Sequence, residues 1–549
     1  MNLKIKMAKK DYSNLTKDQL LEVIEILENK KKYGLVWDEE RVPEKVVTDC
    51  QDKLPVLTEV KSKGITTDEN EPTHILIEGD NYHALSVLNY THKGKIDLIY
   101  IDPPYNTGNN DFTYNDKYVE KEDTWRHSKW LTFMSKRLDL AKGLLKEKGV
   151  IFISIDDNEI AQLKLLCDGI FGEQNFVANC VRRRRKTQAN LAKNIAPVHE
   201  YLLIYSKSIS DLNFNKLSYS EEFIKKGFAN PDNDPRGVYQ TGPLARPKNS
   251  SNREYTLTMP NGRTITAKWS CSEETFQRYI EEKRLVIPRG GDGMPRIKIF
   301  LSELQGQIAN TWWDDVASND DAAKEIENIF GTNAAFSFPK PTDLIKKVIE
   351  LATDKNAIVL DFFAGSGTTG DSILQLNKNK NGNRKFILCT NNENQISENV
   401  TYQRIKKVIE GYQSNKGDKF TGLGNNLKYF KTSFVAKNRN KDQLKIDITK
   451  HCTEMLCLKE GIFNLIKEEV DYKMFQQDKS YLAVYYDFAN SSLDELKEKM
   501  NALEGEKVLY CFTVDNHGLD KANFRGWKNI RLEPIPQKIL DVYKRIFKN

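Results

Sequence analysis

The stretch that most limits what this chain can fold into is Ile96-Asp97-Leu98-Ile99-Tyr100-Ile101, followed at once by Asp102-Pro103-Pro104-Tyr105. The first six residues are apolar and β-branched enough to form a strand buried on both faces, the kind found inside parallel sheets. Two prolines stop that strand, because each lacks an N–H donor and fixes its own φ. A carboxylate and an aromatic ring are thereby held at the carboxyl edge of a buried strand, the edge where open α/β sheets bind ligands. Asp102 can accept a hydrogen bond from an amine, Pro103 and Pro104 make the turn rigid, and Tyr105 offers a flat face. Together they suit a planar, amine-bearing substrate such as a nucleobase.

A second stretch, Val359-Leu360-Asp361-Phe362-Phe363-Ala364-Gly365-Ser366-Gly367-Thr368-Thr369, has the same plan. Residues 357–360 can form a strand closed by Asp361. Gly365 and Gly367 let backbone approach a ligand closely, and Thr368 or Thr369 can start a helix.

Asp102-Pro103-Pro104-Tyr105 resembles motif IV of amino-methyltransferases that use S-adenosylmethionine, in the spelling typical of those acting on adenine in DNA. Asp361 to Gly367 resembles motif I, their methionine-binding loop. Motif IV first and motif I about 260 residues later is the permuted, β-class order. Across roughly residues 15–415 the chain resembles the modification subunit of type III restriction–modification systems.

The resemblance implies a doubly wound, mostly parallel, seven-stranded Rossmann-like α/β sheet, entered at its third strand in sequence order. It also divides the chain. Residues 1–70 would be an N-terminal helical and extended arm, 71–205 the first catalytic part, and 206–330 an inserted target-recognition domain. Residues 331–415 would complete the catalytic fold and 416–549 form a small C-terminal α/β domain for a partner or for dimerisation. By the same carry-over the catalytic residues are Asp102, Pro103, Pro104 and Tyr105. S-Adenosylmethionine would be held by Asp80, Lys340, Asp361, Phe363, Gly365, Ser366, Gly367 and Glu393, with no metal. Asp80 ends the apolar run before the Asp102 strand, and Phe338-Pro339-Lys340-Pro341 resembles motif X, beside the cofactor. Glu393 follows the strand after motif I, a few residues later than the acid that binds ribose hydroxyls in related enzymes.

Arg182-Arg183-Arg184-Arg185-Lys186 is the densest basic run. Such runs are ordinarily solvated faces, but this one sits between the catalytic strands and the insert, where DNA phosphates can pass. From about 206 to 330 short strand-like segments alternate with Gly, Pro and charge. Arg236, Arg246, Arg253, Arg263 and Lys268 supply cations there, and Arg and Asn side chains of this region can read base edges in the major groove, with no residue assigned to a base. Phe112 and Tyr114 in the polar loop after Tyr105 read as anchors more than as base contacts. Thr16 and Gln19, with Leu20, Leu21, Ile24 and Leu27, predict an amphipathic N-terminal helix.

Composition sets the remaining bounds. At 549 residues the chain has room for two to four domains. Its net charge of +6 arises from 83 basic and 77 acidic residues, which permits nucleic-acid binding without establishing it. No stretch is apolar for the roughly 18 residues a membrane span needs, and the lysine-rich start lacks an apolar run, so a cytoplasmic location is expected. Eight scattered cysteines contain no CxxC pair, and thiols are the expectation even at His451, Cys452 and Cys457. The sequence has no GxxxxGK[ST] pattern, so ATP-driven translocation and cleavage would require a separate helicase-nuclease chain. Double-stranded DNA and a second copy of the chain are the other expected partners. A solitary adenine-N6 or cytosine-N4 methyltransferase, one acting on RNA or a protein amide, and a catalytically silent specificity subunit stay open.

Overall fold

The computed structural model describes residues 43–547 except 110, 188–193, 251–253, 438–439, 487–492, 516–518 and 520–523, together with Thr16, Lys17, Leu35 and Trp37. The expected N-terminal helix therefore lies outside the described residues, Thr16 and Lys17 apart. Two compact units are present.

The first unit is built on a ten-stranded sheet. Its strands in chain order are β1 (Lys53–Glu59), β2 (Thr73–Glu78), β3 (Ile96–Ile101), β4 (Leu145–Ile155), β5 (Phe176–Arg183), β6 (His199–Ser206), β7 (Trp312–Trp313), β8 (Ile358–Asp361), β9 (Lys385–Thr390) and β10 (Asn426–Ala436). They lie side by side as β1-β10-β2-β9-β8-β3-β4-β6-β5-β7. The central β2-β9-β8-β3-β4-β6-β5 gives the seven strands expected, and β1, β10 and β7 extend the two edges. Pairing is parallel from β10 across to β4 and antiparallel on both sides of β6.

Every residue of β3 is buried, Asp97 by pairing with Lys146 at 2.7 Å and the others as their apolar side chains require. Alternate side chains point to opposite faces. Ile99 and Ile101 join a cluster with Leu85, Leu88, Leu138 and Ala141, which belong to the helices Asn81–Thr91 and Arg126–Leu144. On the other face, Phe386 and Leu388 meet the helices Thr368–Lys380 and Tyr402–Glu410: a Cβ added at Gly370 would lie 2.6 Å from Ile405, 3.1 Å from Leu388 and 3.3 Å from Phe386. Helices thus cover both faces, which makes the sheet doubly wound.

Two expectations need correction here. Residues 53–59, read as part of an extended connection, form the edge strand β1, because Leu54, Val56 and Leu57 bury themselves on the core. Pro55 is tolerated there because an edge strand has one unpaired side. The sheet also runs past residue 415, since β10 lies between β1 and β2.

A second sheet of the same unit holds Asn464–Glu468, Tyr472–Gln477, Ser480–Tyr485, Glu506–Phe512 and Ile530–Ile535 in sequential order. Leu482, Tyr510 and Tyr543 share the apolar cluster of Ile99 and Leu85, while Tyr472, Ala483, Leu496 and Leu509 form a separate core within this segment.

The other unit comprises Asn213–Thr311 and Lys347–Thr353. It contains the hairpin Glu254–Thr258 and Thr264–Lys268, a three-stranded sheet and the helix Glu273–Glu281, around Leu244, Leu257, Met259, Trp269 and Phe276. Arg253 lies outside the described residues. No helix among the described residues is long and apolar enough to cross a membrane, and no group of His, Cys, Asp and Glu among them is placed to hold a metal ion.

Candidate active site

Strand order brings the two motifs together. β3 and β8 are adjacent and parallel, with Val359 opposite Leu98 and Leu360 opposite Ile99. Their carboxyl ends therefore finish side by side, and Asp102 is close enough for its charge to raise the Asp361 carboxyl. β9 and β2 continue the row with Thr390 opposite Glu78, which places Asp80 and Glu393 along the same edge.

At the centre of this edge, Lys340 Nζ lies 2.8 Å from both carboxylate oxygens of Asp102. Oδ2 receives a directed hydrogen bond; Oδ1, equally near, has no partner in hydrogen-bond geometry among the described residues. The ammonium also sits 5.0 Å from the centre of the Tyr105 ring and 4.0 Å from Glu200 Oε2. Tyr105 donates its hydroxyl to the same Glu200 oxygen at 3.4 Å, and Trp130 Nε1 donates to the Pro104 carbonyl at 2.7 Å.

Two buried acids around one lysine settle differently. Burial raises Asp102 and outweighs the lowering by Lys340, with Glu200 pushing it further up. Glu200 is desolvated as well, yet Lys340, Arg182 and Arg184 together hold it below the ordinary range. Environments that separate two carboxyl groups in this way are a mark of functional sites.

The glycine loop is shaped by its own hydrogen bonds. Asp361 Oδ2 accepts from Thr369 Oγ1 at 2.6 Å and Oδ1 from the Phe363 N–H at 3.0 Å. Burial pushes this carboxyl up to about 7 against both bonds. Gly365 and Gly367 have φ of 48° and 78°, the left-handed region that glycine enters without steric cost. A Cβ on Gly365 would lie 3.1 Å from Phe336. Ser366 is buried with its hydroxyl 3.0 Å from Thr368 Oγ1, and Phe363 packs against Phe133 at 5.9 Å between ring centres. Thr368 Oγ1 donates to the Lys340 carbonyl at 3.1 Å, so Lys340 touches the loop through its backbone and Asp102 through its side chain.

Asp80 caps the Asn81–Thr91 helix by accepting from Tyr82 N–H at 2.7 Å, and Arg137 pairs with it at 3.2 Å. Glu393 is exposed, three residues beyond the end of β9. Phe112 and Tyr114 are buried, Phe112 5.2 Å from Phe133, which agrees with their reading as anchors.

The basic run divides, and its expected role is corrected at one position. Arg182 is 1% exposed and points inward: it forms an ion pair with Glu200 and donates to Asn319 Oδ1 at 2.7 Å and to the Ala317 carbonyl at 3.1 Å. In a strand, neighbouring side chains alternate faces, so one member of a basic run is turned to the core. Arg183, Arg185 and Lys186 are exposed, and Arg184 is half-buried. Sequence reasoning did not single out Glu200 or Arg137. The signal that could have found Glu200 was an acid inside the apolar run 199–205, since buried acids are nearly always paired.

A family model described as DNA methylase matches residues 96–401. The chain is 38% identical over 375 residues to the StyLTI Mod subunit of a type III restriction-modification enzyme of Salmonella typhimurium, covering 62% of this chain and 57% of that one. It is 31% identical over 444 residues to the EcoPI Mod subunit of Escherichia phage P1, covering 68% and 66%. With the type II methyltransferase M.KpnI of Klebsiella pneumoniae it shares 34% identity over 351 residues, 59% of this chain and 82% of that enzyme. The alignments thus span under two thirds of either Mod subunit. This chain belongs to the DNA methylase family.

Proposed function

We propose that this chain is a site-specific DNA methyltransferase that uses S-adenosylmethionine to methylate the N6 amine of an extruded adenine. We further propose that it serves as the modification and specificity subunit of a type III restriction–modification system. The observation that carries the reading is the meeting of Asp102 and the Gly365–Gly367 loop at the ends of adjacent parallel strands, with Lys340 touching both.

The residues present fit the cofactor. At Gly365 the left-handed backbone runs close beneath Phe336, which a Cβ would meet at 3.1 Å, and the Thr369 bond to Asp361 holds the loop in that shape. Gly365, Ser366 and Gly367 would hold the methionine end, with Phe363, Asp80 and Glu393 farther along the edge. When bound, S-adenosylmethionine supplies an electrophilic sulfonium methyl.

Adenine must leave the duplex to reach such an edge, at a cost of a few kcal/mol. Stacking on Tyr105 returns about 1–3 kcal/mol. The exocyclic nitrogen is a weak nucleophile because its lone pair is delocalised into the ring. Asp102 Oδ1, which lacks a directed partner among the described residues, accepts from that amine, and the Pro103 carbonyl takes the second N–H. Both bonds favour a more tetrahedral nitrogen with its lone pair turned toward the methyl. Positioning and local charge then carry the step. Lys340 and Glu200 keep Asp102 and Tyr105 in register.

Arg183, Arg185 and Lys186 contact phosphate, and the unit built on Asn213–Thr311 reads the sequence. The name shared by the Mod relatives supports a restriction subunit as partner, and a homodimer and a cytoplasmic location complete the proposal. Incubation with DNA and S-adenosylmethionine, followed by digestion to nucleosides and mass spectrometry, tests the reading. N6-Methyladenine is expected; N4-methylcytosine would move the chain to the other branch of the family, and no methylated nucleoside would sink the enzyme.

A further inference from the structure

The turn that carries Tyr105 rests on a buried cluster that methyl transfer does not touch. Asn106 is fully buried and has a left-handed backbone, φ 56°. Its Nδ2 donates to Glu159 Oε1 at 2.5 Å and to the Arg126 carbonyl at 3.3 Å. His127 Nδ1 lies 2.7 Å from the same Oε1. Arg126 Nε donates to His127 Nε2 at 3.2 Å, so that nitrogen is the acceptor and a neutral imidazole carries its proton on Nδ1. Glu159 Oε1 therefore receives two N–H donors.

Two acceptors are left over. Glu159 Oε2 and Asn106 Oδ1 are both buried, and neither has a hydrogen-bond partner among the described residues. A buried acceptor without a donor is costly, and here two occur on side chains already joined by one bond. One proton on Oε2 removes both deficits. A carboxylic acid facing a primary amide can close a ring of two hydrogen bonds, Nδ2–H to Oε1 and Oε2–H to Oδ1.

We propose that Glu159 is a positioning residue held as the neutral acid, locked to the Asn106 amide by that pair of bonds, and that the lock fixes the Asp102–Tyr105 turn for base entry. The charges around it agree. Burial is the largest influence and raises the carboxyl to about 7, Asp156 adds to it, and Asn106 and Arg126 oppose it. Arg126 Nη1 has no hydrogen-bond partner among the described residues. Burial and Arg126 lower His127 below its usual range, so it contributes no charge near neutrality. Gln162, whose Nε2 is 3.5 Å from His127 Nδ1, is the other polar neighbour on the Ile160–Phe171 helix.

The consequence for catalysis rests on the methyltransferase reading; the protonation state does not. Glu159→Gln keeps the shape and replaces the acidic O–H by an N–H that can still donate to Asn106, whereas Glu159→Ala removes the pair. In the full-length protein, Glu159→Gln should hold kcat/KM for DNA near wild type and abolish the decline of wild type above its midpoint. Glu159→Ala should lose about tenfold in kcat/KM with cofactor affinity unchanged. Isotope-edited infrared spectroscopy should find in wild type a protonated-carboxyl C=O band that disappears as pH rises through neutrality and is missing in Glu159→Gln. A Glu159→Gln variant as impaired as Glu159→Ala, or a wild type without that band at mildly acid pH, would overturn the proposal. A wild type that shows the band yet methylates no DNA would confirm the lock and defeat the methyltransferase reading instead.

Discussion

Lys340 grips Asp102 through an ammonium 2.8 Å from both carboxylate oxygens, although 238 residues separate the two in sequence. The same residue takes a hydrogen bond on its carbonyl from Thr368 of the glycine loop. Lys340 thereby registers the turn at the base site against the loop at the methyl-donor site.

Removal of the carboxylate should stop chemistry and spare binding. Asp102→Ala is expected to show no methyl transfer while keeping S-adenosylmethionine affinity within about threefold of wild type, since its contacts lie on Lys340 and not on the loop. Isothermal titration with cofactor and transfer of a radiolabelled methyl group measure the two halves. Turnover near the wild-type rate would refute the role of Asp102.

Lys340→Gln removes the cation that holds Asp102 down against burial. The Asp102 carboxyl should rise further, so the acid limb of the kcat/KM profile, which reports ionisation of this group, moves to higher pH. An unmoved acid limb would show that the lysine acts only on the loop.

Gly365→Val places a branched side chain at φ 48° and 3.1 Å from Phe336. Left-handed backbone alone costs about 1–2 kcal/mol for a residue with a Cβ, and the steric clash adds to it. Cofactor affinity should fall by tenfold or somewhat more on that scale. Equilibrium binding of the cofactor is the direct check.

Members of the basic run should respond differently. Glutamine at Arg183, Arg185 or Lys186 should weaken DNA binding on every sequence and reduce the salt slope by about 1 for each phosphate no longer neutralised. Arg182→Gln should instead lower stability, by at most about 3–5 kcal/mol, because buried Glu200 loses its shortest ion pair and keeps the more distant Lys340 and the Tyr105 hydroxyl. Salt titration of DNA affinity and urea unfolding separate the cases.

The protein should be less stable on the alkaline side of neutrality. Burial raises Asp361 from 3.8 and Glu159 from 4.5, each to about 7. A folded-state value above the unfolded one means that the folded chain holds the proton more tightly. That stabilisation is whole below the unfolded values and disappears as pH rises through about 7. Midpoints of thermal unfolding between about pH 5 and pH 8 should therefore fall, and fall less in the double variant Asp361→Asn, Glu159→Gln.

Much of this molecule was written locally. The β-branched, largely apolar run from Ile96 to Ile101 favours a central strand, two prolines end it, and glycines at 365 and 367 permit a backbone that other residues resist. Those are properties of a few neighbouring residues, so the strands, the turn and the loop were legible before any fold was known. The segments that were misread lack such punctuation. Lys53–Glu59 mixes charge, proline and apolar residues, and becomes a strand only because β10 offers an edge to pair with.

The pairing of distant charges belonged to the tertiary structure alone. Nothing near Arg182 distinguishes it from Arg183, and only the alternation of a strand against Glu200 turns one inward and leaves the other exposed. Nothing near Lys340 points to Asp102. The chain itself determined which groups are present and the local backbone that carries them. Which charges meet was decided by the order of strands in the sheet, because an ion pair depends on separation in space and polypeptide chemistry encodes only separation along the chain.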